Sequence, residues 1–413
     1  MPKWRRTVYV LFAVQLISTV GFSLVFPFLP LYVKEIGIAT GGSIEFWAGL
    51  VFSSQAVTMM LAAPVWGAFA DRYGRKMMLV RATFGGAVLI ALMGFAQNAE
   101  QLVVIRTLQG LVTGVMAAAT ALAAAAAPRE RTGEALGLLQ MARSVGVAVG
   151  PVVGGLLGDA FGFRESFWIT GGLLALSGLC ALLWVHEEFT PAPKATRPGL
   201  FDGYRHLLKA PGMGGLYALS LLRSLGQTMI LPILALFVVE LMGSEEGAAS
   251  ITGLLIGSAA VTGALSAIWL GRLGDRIGHS RIMIGAALAA ALCYLPQAFV
   301  TSAWQLAAWQ ALAGFAAGGL VPALSALMNL WAPAGSQGAI YGLDTSVNAA
   351  ARSVAPMLGA AIAFWAGMRG VFGAAAVIYL LIILLTIHVV RQVRARRGQA
   401  EALGLVLKGA GDD

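Results

Sequence analysis

The stretch GAFADRYGRK (residues 67–76) gathers four charged side chains in a chain that is otherwise strongly apolar. Of the 413 residues, 58% are hydrophobic and only 11% are charged. A related stretch, GRLGDRIGHSR (271–281), begins 204 residues later. The matching pairs are Gly67 and Gly271, Asp71 and Asp275, Arg72 and Arg276, and Gly74 and Gly278. This recurrence indicates two copies of one structural unit.

Long apolar runs separate these charged stretches. About 20 apolar residues are needed to cross a bilayer. The sequence holds twelve such runs, at 8–33, 46–69, 77–97, 102–127, 135–158, 165–186, 212–240, 250–271, 280–300, 303–330, 338–363 and 368–390. Backbone polar groups in lipid must be bonded within their own segment, which requires helices here. We therefore predict an all-α integral membrane protein with twelve transmembrane helices, spans 1 to 12.

The duplication extends beyond the charged stretches. At an offset of 204 residues, Gln101, Gly110 and Gly114 align with Gln305, Gly314 and Gly318; at 205, Gly137, Pro151 and Gly154 align with Gly342, Pro356 and Gly359. Four prolines mark the break between spans 6 and 7. The predicted domains are two pseudo-symmetric six-helix bundles at 1–186 and 212–390, a cytoplasmic linker at 187–211 and a cytoplasmic tail at 391–413. Parallel repeats of this kind occur in one transporter architecture.

The Lys and Arg residues predict the orientation in the membrane. Of the 28, 21 lie in breaks on one side, three on the other, and four within spans. Because cytoplasmic loops are enriched in basic residues, both termini are predicted to be cytoplasmic in a multi-pass protein of the cell membrane. This distribution explains the net charge of +9 without nucleic-acid binding. The two cysteines and four histidines show no disulfide or metal-ligand spacing, so no metal or cofactor is expected.

The charged stretch has a chemistry suited to a conformational latch. Gly67 allows another helix to approach closely, and Gly74 permits a tight turn. Asp71 can lie at the positive end of a neighbouring helix, while the basic residues can pair with Glu130 or Glu134. The predicted latch residues are Gly67, Asp71, Arg72, Gly74, Arg75, Gly271, Asp275 and Arg276. The alternative interpretation is an ordinary basic cluster that only sets topology.

Polar side chains inside the spans predict a central cavity. Asp344, Asn348 and Arg352 are spaced to share one face of span 11, and Ser220, Arg223 and Gln227 form a stripe on span 7. Charges at membrane depth usually face the bundle interior. The predicted substrate-cavity residues are Gln15, Phe22, Phe26, Arg143, Arg223, Gln227, Asn348 and Arg352. For the two phenylalanines, plain helix packing is the alternative interpretation.

Three motifs resemble one family. GAFADRYGRK matches the loop signature between spans 2 and 3 of the major facilitator superfamily, whose fold is two six-helix bundles. RTLQG (106–110) resembles a span-4 motif in which an intramembrane arginine is implicated in proton coupling. GVAVGPVVGG (146–155) resembles a span-5 motif typical of exporters. Together these motifs resemble the drug:proton antiporters with twelve spans. The second copy departs from the loop signature, because His279 and Ser280 replace an Arg-Lys pair.

The resemblance implies roles for particular residues. Arg106 is expected to take part in proton coupling. Independently of the resemblance, the burial of Asp344 makes it one candidate proton carrier, and Asp71 is another. The exporter motif comprises Gly146, Gly150, Pro151, Gly154 and Gly155. Of these, three glycines recur at four-residue intervals on one helix face, which predicts a close helix contact, and Pro151 can weaken the helix. A packing seam without a mechanistic role remains the alternative.

These features predict a secondary active transporter that exports drugs or other small amphipathic compounds by proton antiport with alternating access. The alternative is a proton-coupled symporter or uniporter of a sugar or organic anion. A membrane enzyme is disfavoured, because the sequence lacks HExxH, GxSxG and Asp-rich motifs. The expected partners are a small-molecule substrate, protons and the bilayer, with the chain a monomer. Four arginines but only one acid inside spans favour neutral or anionic compounds.

Overall fold

The computed structural model describes residues 3–187, 212–331 and 337–402. Within these ranges the regular structure is helical, with one 3₁₀ turn at Arg129–Arg131. The spans are Lys3–Leu24 with Leu29–Ile36 (span 1), Ile44–Tyr73 (2), Arg75–Met93 (3), Ala99–Val112 with Val115–Ala126 (4), Thr132–Phe161 (5), Phe163–Trp184 (6), Met213–Thr228 with Leu231–Met242 (7), Ala248–Ile277 (8), His279–Gln297 (9), Ala303–Gly318 with Leu320–Trp331 (10) and Gln337–Ala402 (11 and 12). The all-α prediction is confirmed.

Spans 11 and 12 are separated by one glycine. Gly367 has φ 74° and ψ 166°, a conformation that breaks the helix between 337–366 and 368–402. Span 12 then continues to Ala402, into the tail predicted at 391–413. Except for Glu187, the linker predicted at 187–211 lies outside the described residues.

The two halves repeat individual hydrogen bonds as well as helices. Thr58 Oγ1 donates to the carbonyl of Thr107 at 2.8 Å, and Thr262 Oγ1 donates to that of Ala311 at 2.7 Å. The donors and the acceptors are each 204 residues apart in the sequence. Gln101 and Gln305, at the same offset, each accept from the backbone at the start of a span, from Gln97 N and Thr301 N. The sequence repeat is therefore a repeat of tertiary structure.

Four spans are broken in the middle, and these are also related by the repeat. In spans 1 and 7 the second piece begins with a leucine followed by Pro30 or Pro232. Proline lacks a backbone N–H and fits the first turn of a helix, so it favours a new start there. Span 4 breaks at Gly114, whose φ of 149° suits only glycine. Span 10 has a milder interruption one residue beyond the equivalent position, at Gly319, whose φ of −73° and ψ of −17° stay helical.

The ends of the bundle differ in charge and in how the halves meet. We call the end that holds residues 70–77 and 271–281 the basic end, and the end that holds 34–45 and 240–248 the opposite end. Toward the opposite end, span 5 packs against span 8. A Cβ on Gly253 would collide with the Pro151 carbonyl oxygen. The halves are therefore in backbone contact at this seam.

The same contact is found on the other side of the pseudo-twofold axis, between spans 2 and 11. There, a Cβ on Gly49 would lie 2.9 Å from the Pro356 carbonyl oxygen. Gly49 and Pro356 are the repeat equivalents of Gly253 and Pro151. The opposite end is thus closed by two symmetric glycine–proline contacts.

The halves separate toward the basic end. Met141 and Val145 continue the face of span 5 that meets span 8, yet they are 50% and 42% exposed. On span 8, Leu265 and Ile268 are 63% and 59% exposed. Hydrogen bonds and ion pairs between described residues of the two halves, such as Lys34 with Glu245, lie at the opposite end. The bundle is therefore open at its basic end.

Candidate functional site

A hydrogen-bonded chain of polar side chains links spans 7 and 11 in the interior of the C-terminal half. Ser220 Oγ donates to Asp344 Oδ1, and Asn348 Nδ2 donates to Ser220 Oγ at 3.0 Å. Arg223 Nη2 donates to Asn348 Oδ1 at 2.7 Å. An acid, a hydroxyl, an amide and a base are thus connected in sequence. A change in the charge of Asp344 can be transmitted along these bonds to Arg223.

Two further arginines face this chain. The guanidinium groups of Arg143, Arg223 and Arg352 lie near enough to repel one another electrostatically. Arg143 belongs to the N-terminal half and the other two to the C-terminal half, so the three meet across the seam. Arg352 and Gln227 expose more than a third of their surface in mid-span. Together with the nearness of Arg352 to Arg143, this exposure indicates an open space between the halves here.

Arg106 lies apart from that chain, within the N-terminal half. Its side chain is only 2% exposed, and Nη1 donates to Gln55 Oε1 and Gln109 Oε1, both at 2.9 Å. Its Nε and Nη2 atoms are buried without a hydrogen-bond partner. The Phe52 ring centroid lies 6.0 Å from the guanidinium carbon. No hydrogen bond between described residues joins Arg106 to Asp344, so the two predicted proton-coupling residues occupy separate sites.

The span-1 residues predicted for the cavity pack inside the N-terminal half. Gln15 is 3% exposed and donates to Thr19 Oγ1 at 2.9 Å. Phe22 lies against Gly86 of span 3, and Phe26 pairs with Phe52 at 5.8 Å between ring centroids. Phe26 therefore connects span 1 to the aromatic ring beside Arg106. In this conformation Gln15 and Phe22 pack between helices and do not line an open cavity.

The described contacts of the predicted latch residues at 67–76 lie within the N-terminal half. Nothing lies within 4 Å of a Cβ built on Gly67, and Gly74 forms the predicted turn with φ 95°. The side chain of Asp71 lies outside the described part of the structure. Arg75 Nη1 donates to the Ala121 carbonyl at 3.0 Å, and the Arg72 guanidinium lies 5.3 Å from the Tyr73 ring centroid. No described helix approaches Gly67 in this conformation, since the halves are apart at this end.

The predicted pairing of this basic stretch with Glu130 or Glu134 is not observed among described side chains. Glu134 instead pairs with Arg5 at 3.5 Å and with Arg131 at 3.2 Å. The acid that meets the stretch is Glu187, whose two oxygens accept from the backbone N–H groups of Arg75 and Lys76 at 2.9 and 2.8 Å. A carboxylate there satisfies two otherwise free donors at the start of span 3.

The second copy of the stretch keeps the turn and changes the charges. Gly278 has φ 97°, close to that of Gly74. Asp275 pairs with His279 Nε2 at 3.3 Å, across the turn at Gly278. Gly271 lies beside Pro322, with 3.7 Å between a built Cβ and the proline Cβ. Arg276 is exposed. This copy therefore pairs its acid within the C-terminal half in the present conformation.

The exporter motif forms two contact surfaces on one helix. Cβ atoms built on Gly146, Gly150 and Gly154 would collide with Thr19, Ser23 and the Leu24 backbone of span 1. Gly155 meets the Ala249 carbonyl of span 8 in the other half. The predicted close contact is therefore a packing seam with span 1, and Gly155 and Pro151 carry the contact between halves. Span 5 stays helical from Thr132 to Phe161 across Pro151.

The guanidinium of Arg81 is packed inside the protein, which a basic residue that only sets membrane topology would not require. Its guanidinium carbon lies 3.3 Å from the Trp66 ring centroid, and its Nε and Nη1 are buried without a hydrogen-bond partner. Trp66 Nε1 donates to the Leu111 carbonyl at 2.5 Å, just before the break in span 4. In the sequence, Trp66 on span 2 was the signal from which this contact of an arginine with an aromatic ring could have been predicted.

Among the described residues, no cluster of three or more His, Cys, Asp or Glu side chains could hold a metal.

Comparison with known proteins identifies the family to which this sequence and fold are similar. The family model described as Major Facilitator Superfamily matches residues 11–243 and 216–409. The chain is similar to the multidrug resistance protein MdtG of Serratia proteamaculans (strain 568), with 36% identity over 91% of this chain and 92% of that protein. It is likewise 36% identical to MdtG of Escherichia fergusonii, over 97% of both chains.

A solved structure has the same fold at low sequence identity. The crystal structure of a bacterial homologue of the human lysosomal transporter Spinster, in an inward-facing and occupied conformation, covers 95% of this chain and 98% of its own. The TM-score is 0.78 and the identity 14%. The duplicated bundle, the turn at Gly74 and the family match over both halves lead to one conclusion: the chain belongs to the Major Facilitator Superfamily.

Proposed function

We propose that the protein is a secondary active transporter that exports small amphipathic compounds in exchange for protons. Its family consists of transporters rather than enzymes, and curated relatives that match about nine-tenths of the chain or more are named multidrug resistance proteins. The resemblance of residues 146–155 to an exporter motif agrees with this direction. These observations do not favour the alternative of a sugar or organic-anion importer.

The observation that carries the proposal is the bond chain from Asp344 to Arg223. Proton exchange requires a group that titrates inside the protein and whose environment changes between conformations. Asp344 is the only acid well inside a span in the whole sequence. It lies beside the space where the halves part, and its hydrogen-bond partner Ser220 belongs to another span. Movement of span 7 against span 11 would make or break this hydrogen bond.

We assign the basic end to the cytoplasm. Eight acids but only three basic residues belong to the opposite end, and the acids are Glu35, Glu45, Glu100, Asp159, Glu165, Glu240, Glu245 and Glu246. The excess of Lys and Arg at the other end is typical of cytoplasmic surfaces. Both termini are then cytoplasmic, and the described conformation is ready to accept a compound from the cytoplasm. We place the protein in the cell membrane as a monomer.

The cavity charge favours neutral or anionic compounds. Arg143, Arg223 and Arg352 converge, whereas Asp344 alone offers a negative charge, and its carboxylate is engaged by Ser220. An arginine at this depth that lacks a partner is costly, so an anionic group on a substrate would be attracted. Lipophilic cations lack an equivalent acid to bind.

Everted membrane vesicles provide the test. An imposed proton gradient should drive accumulation of a fluorescent anionic dye, and a protonophore should abolish it. Vesicles from the Arg352→Gln variant should accumulate less of that dye and no less of a neutral one. Dye movement that is indifferent to the protonophore would contradict proton exchange. Accumulation of a lipophilic cationic dye but no anionic dye would contradict only the proposed charge preference.

A further inference from the structure

An apolar groove crosses the seam between spans 2 and 11 at the opposite end. Its volume is about 310 Å³. Apolar side chains form most of its wall: Phe46, Met357, Ala360, Ala361, Phe364 and Trp365. Phe46 belongs to the N-terminal half and the rest belong to the C-terminal half. The groove begins beside the close contact of Gly49 with Ala360, so it is part of the contact between halves.

The equivalent place on the other side of the pseudo-twofold axis is closed by a polar bond. Phe46 corresponds by the repeat to Ser250, and Phe364 corresponds to Asp159. Asp159 Oδ2 accepts from the Ser250 backbone N–H at 2.7 Å, which ties span 5 to the first turn of span 8. Between spans 2 and 11, two aromatic side chains replace this bond. They leave a groove that no described side chain fills.

The position of the groove identifies what covers it. Phe364 and Trp365 are 66% and 85% exposed, on the outer surface of two membrane spans. Surface that transmembrane helices leave uncovered at this depth contacts hydrocarbon. Exposed tryptophan near the end of a span is typical of the membrane interface, where lipid headgroups begin. Ser43, at the start of span 2, forms the one polar part of the wall.

We propose that this groove is a binding site for one acyl chain of a membrane phospholipid, which bridges the two halves at the opposite end. Dispersion contacts with walls from both halves stabilise the chain there. Because the walls approach each other only when spans 2 and 11 meet, the site requires the closed opposite end. A bound acyl chain therefore stabilises the conformation that is open at the basic end.

A photoreactive lipid tests this directly. The full-length protein is placed in nanodiscs that contain phosphatidylcholine with a diazirine on one acyl chain, irradiated and mapped by mass spectrometry. Labelling of Met357, Phe364 and Trp365 should exceed severalfold that of Trp304 and Phe299. Those two residues are 67% and 74% exposed at the same end. They report non-specific contact with lipid.

Variants separate a binding site from general exposure. Ala361→Trp fills the groove and should reduce the label to the level of Trp304, with Ala361→Phe as a milder version. Ala289→Trp adds the same bulk at an exposed position on span 9 and should leave the label unchanged. Equal labelling of groove and reference residues would overturn the proposal. The proposal would also be overturned if the groove label were lost only in nanodiscs that hold two protein copies, because a second chain would then cover the groove.

Discussion

In the proposed mechanism, Asp344 is the one side chain that binds and releases the proton. Its carboxylate is bonded to Ser220 and, through Asn348, to Arg223. Asparagine at this position keeps an oxygen for Ser220 but cannot bind and release a proton. The single substitution Asp344→Asn therefore tests proton coupling while it leaves folding intact.

The Asp344→Asn variant is expected to lose export driven by a pH gradient while it reaches the membrane in normal amount. Everted-vesicle transport measured against the amount of folded protein checks this. Glu246→Gln, which neutralises an exposed acid at the opposite end, should transport normally. Retention of pH-driven export by Asp344→Asn would exclude it as the proton carrier.

Arg106 depends on two neutral acceptors for its burial. Gln55→Ala removes one of them and leaves a buried charged donor unpaired, which should cost about 1–3 kcal/mol of stability. The expected result is a lower melting temperature in detergent. Gln97→Ala, at an exposed position before span 4, should melt like the parent protein. Equal melting of both variants would mean that Gln55 contributes nothing to the placement of Arg106.

At the scale of helices, caps and glycine contacts do most of the positioning. Glu187 satisfies two backbone donors at the start of span 3. By analogy with N-terminal caps, Glu187→Ala should destabilise the protein by about 0.5–2 kcal/mol. Thermal unfolding measures this loss, with Glu130→Ala as the matched acid at the basic end. A larger effect at Glu130 would show that the cap is not the stabilising contact.

Gly253 governs how closely spans 5 and 8 approach. Alanine there would press a methyl group into the Pro151 carbonyl and should shift the protein toward opening of the opposite end. Spin labels on spans 5 and 8 at that end should report longer distances. Gly285→Ala, on span 9 with open space around it, is the control and should leave distances unchanged. If the distances are unchanged in both variants, Gly253 does not determine how closely spans 5 and 8 approach.

Sequence patterns predicted the elements better than their internal breaks. Span 2 was expected at 46–69 and is found at Ile44–Tyr73, because lipid thickness and the need for internal hydrogen bonds constrain length strongly. The break at Gly114 was not predicted, since a short unwound segment leaves the apolar run unchanged. Glycine in such a run is equally compatible with helix packing.

Contacts distant in the sequence were the least predictable part of the site. The sequence placed Asp344, Asn348 and Arg352 on one face of span 11, and Ser220 and Arg223 together on span 7. Nothing in it specified that these two faces would bond to each other. Nor could it show that Glu187, rather than Glu134, would meet the basic stretch. Such choices depend on how helices pack, which a periodic pattern leaves open.

For the whole molecule, the central claim is that the halves alternate between contact at one end and at the other. The described conformation has contact at the opposite end only, including the bond between Asp159 and Ser250. Proton-driven export requires that these contacts break in each cycle. A covalent bond at that position should therefore stop transport, whatever the substrate is.

The most direct measurement uses the double variant Asp159→Cys with Ser250→Cys, after Cys180 and Cys293 are replaced by serine. Oxidation should abolish vesicle transport, and a reducing agent should restore it. The control is Ser18→Cys with Ser177→Cys, two residues of the N-terminal half whose hydroxyl oxygens lie 2.8 Å apart; this pair should transport whether oxidised or reduced. Undiminished transport by the fully cross-linked Asp159–Ser250 pair would contradict alternating access between these halves.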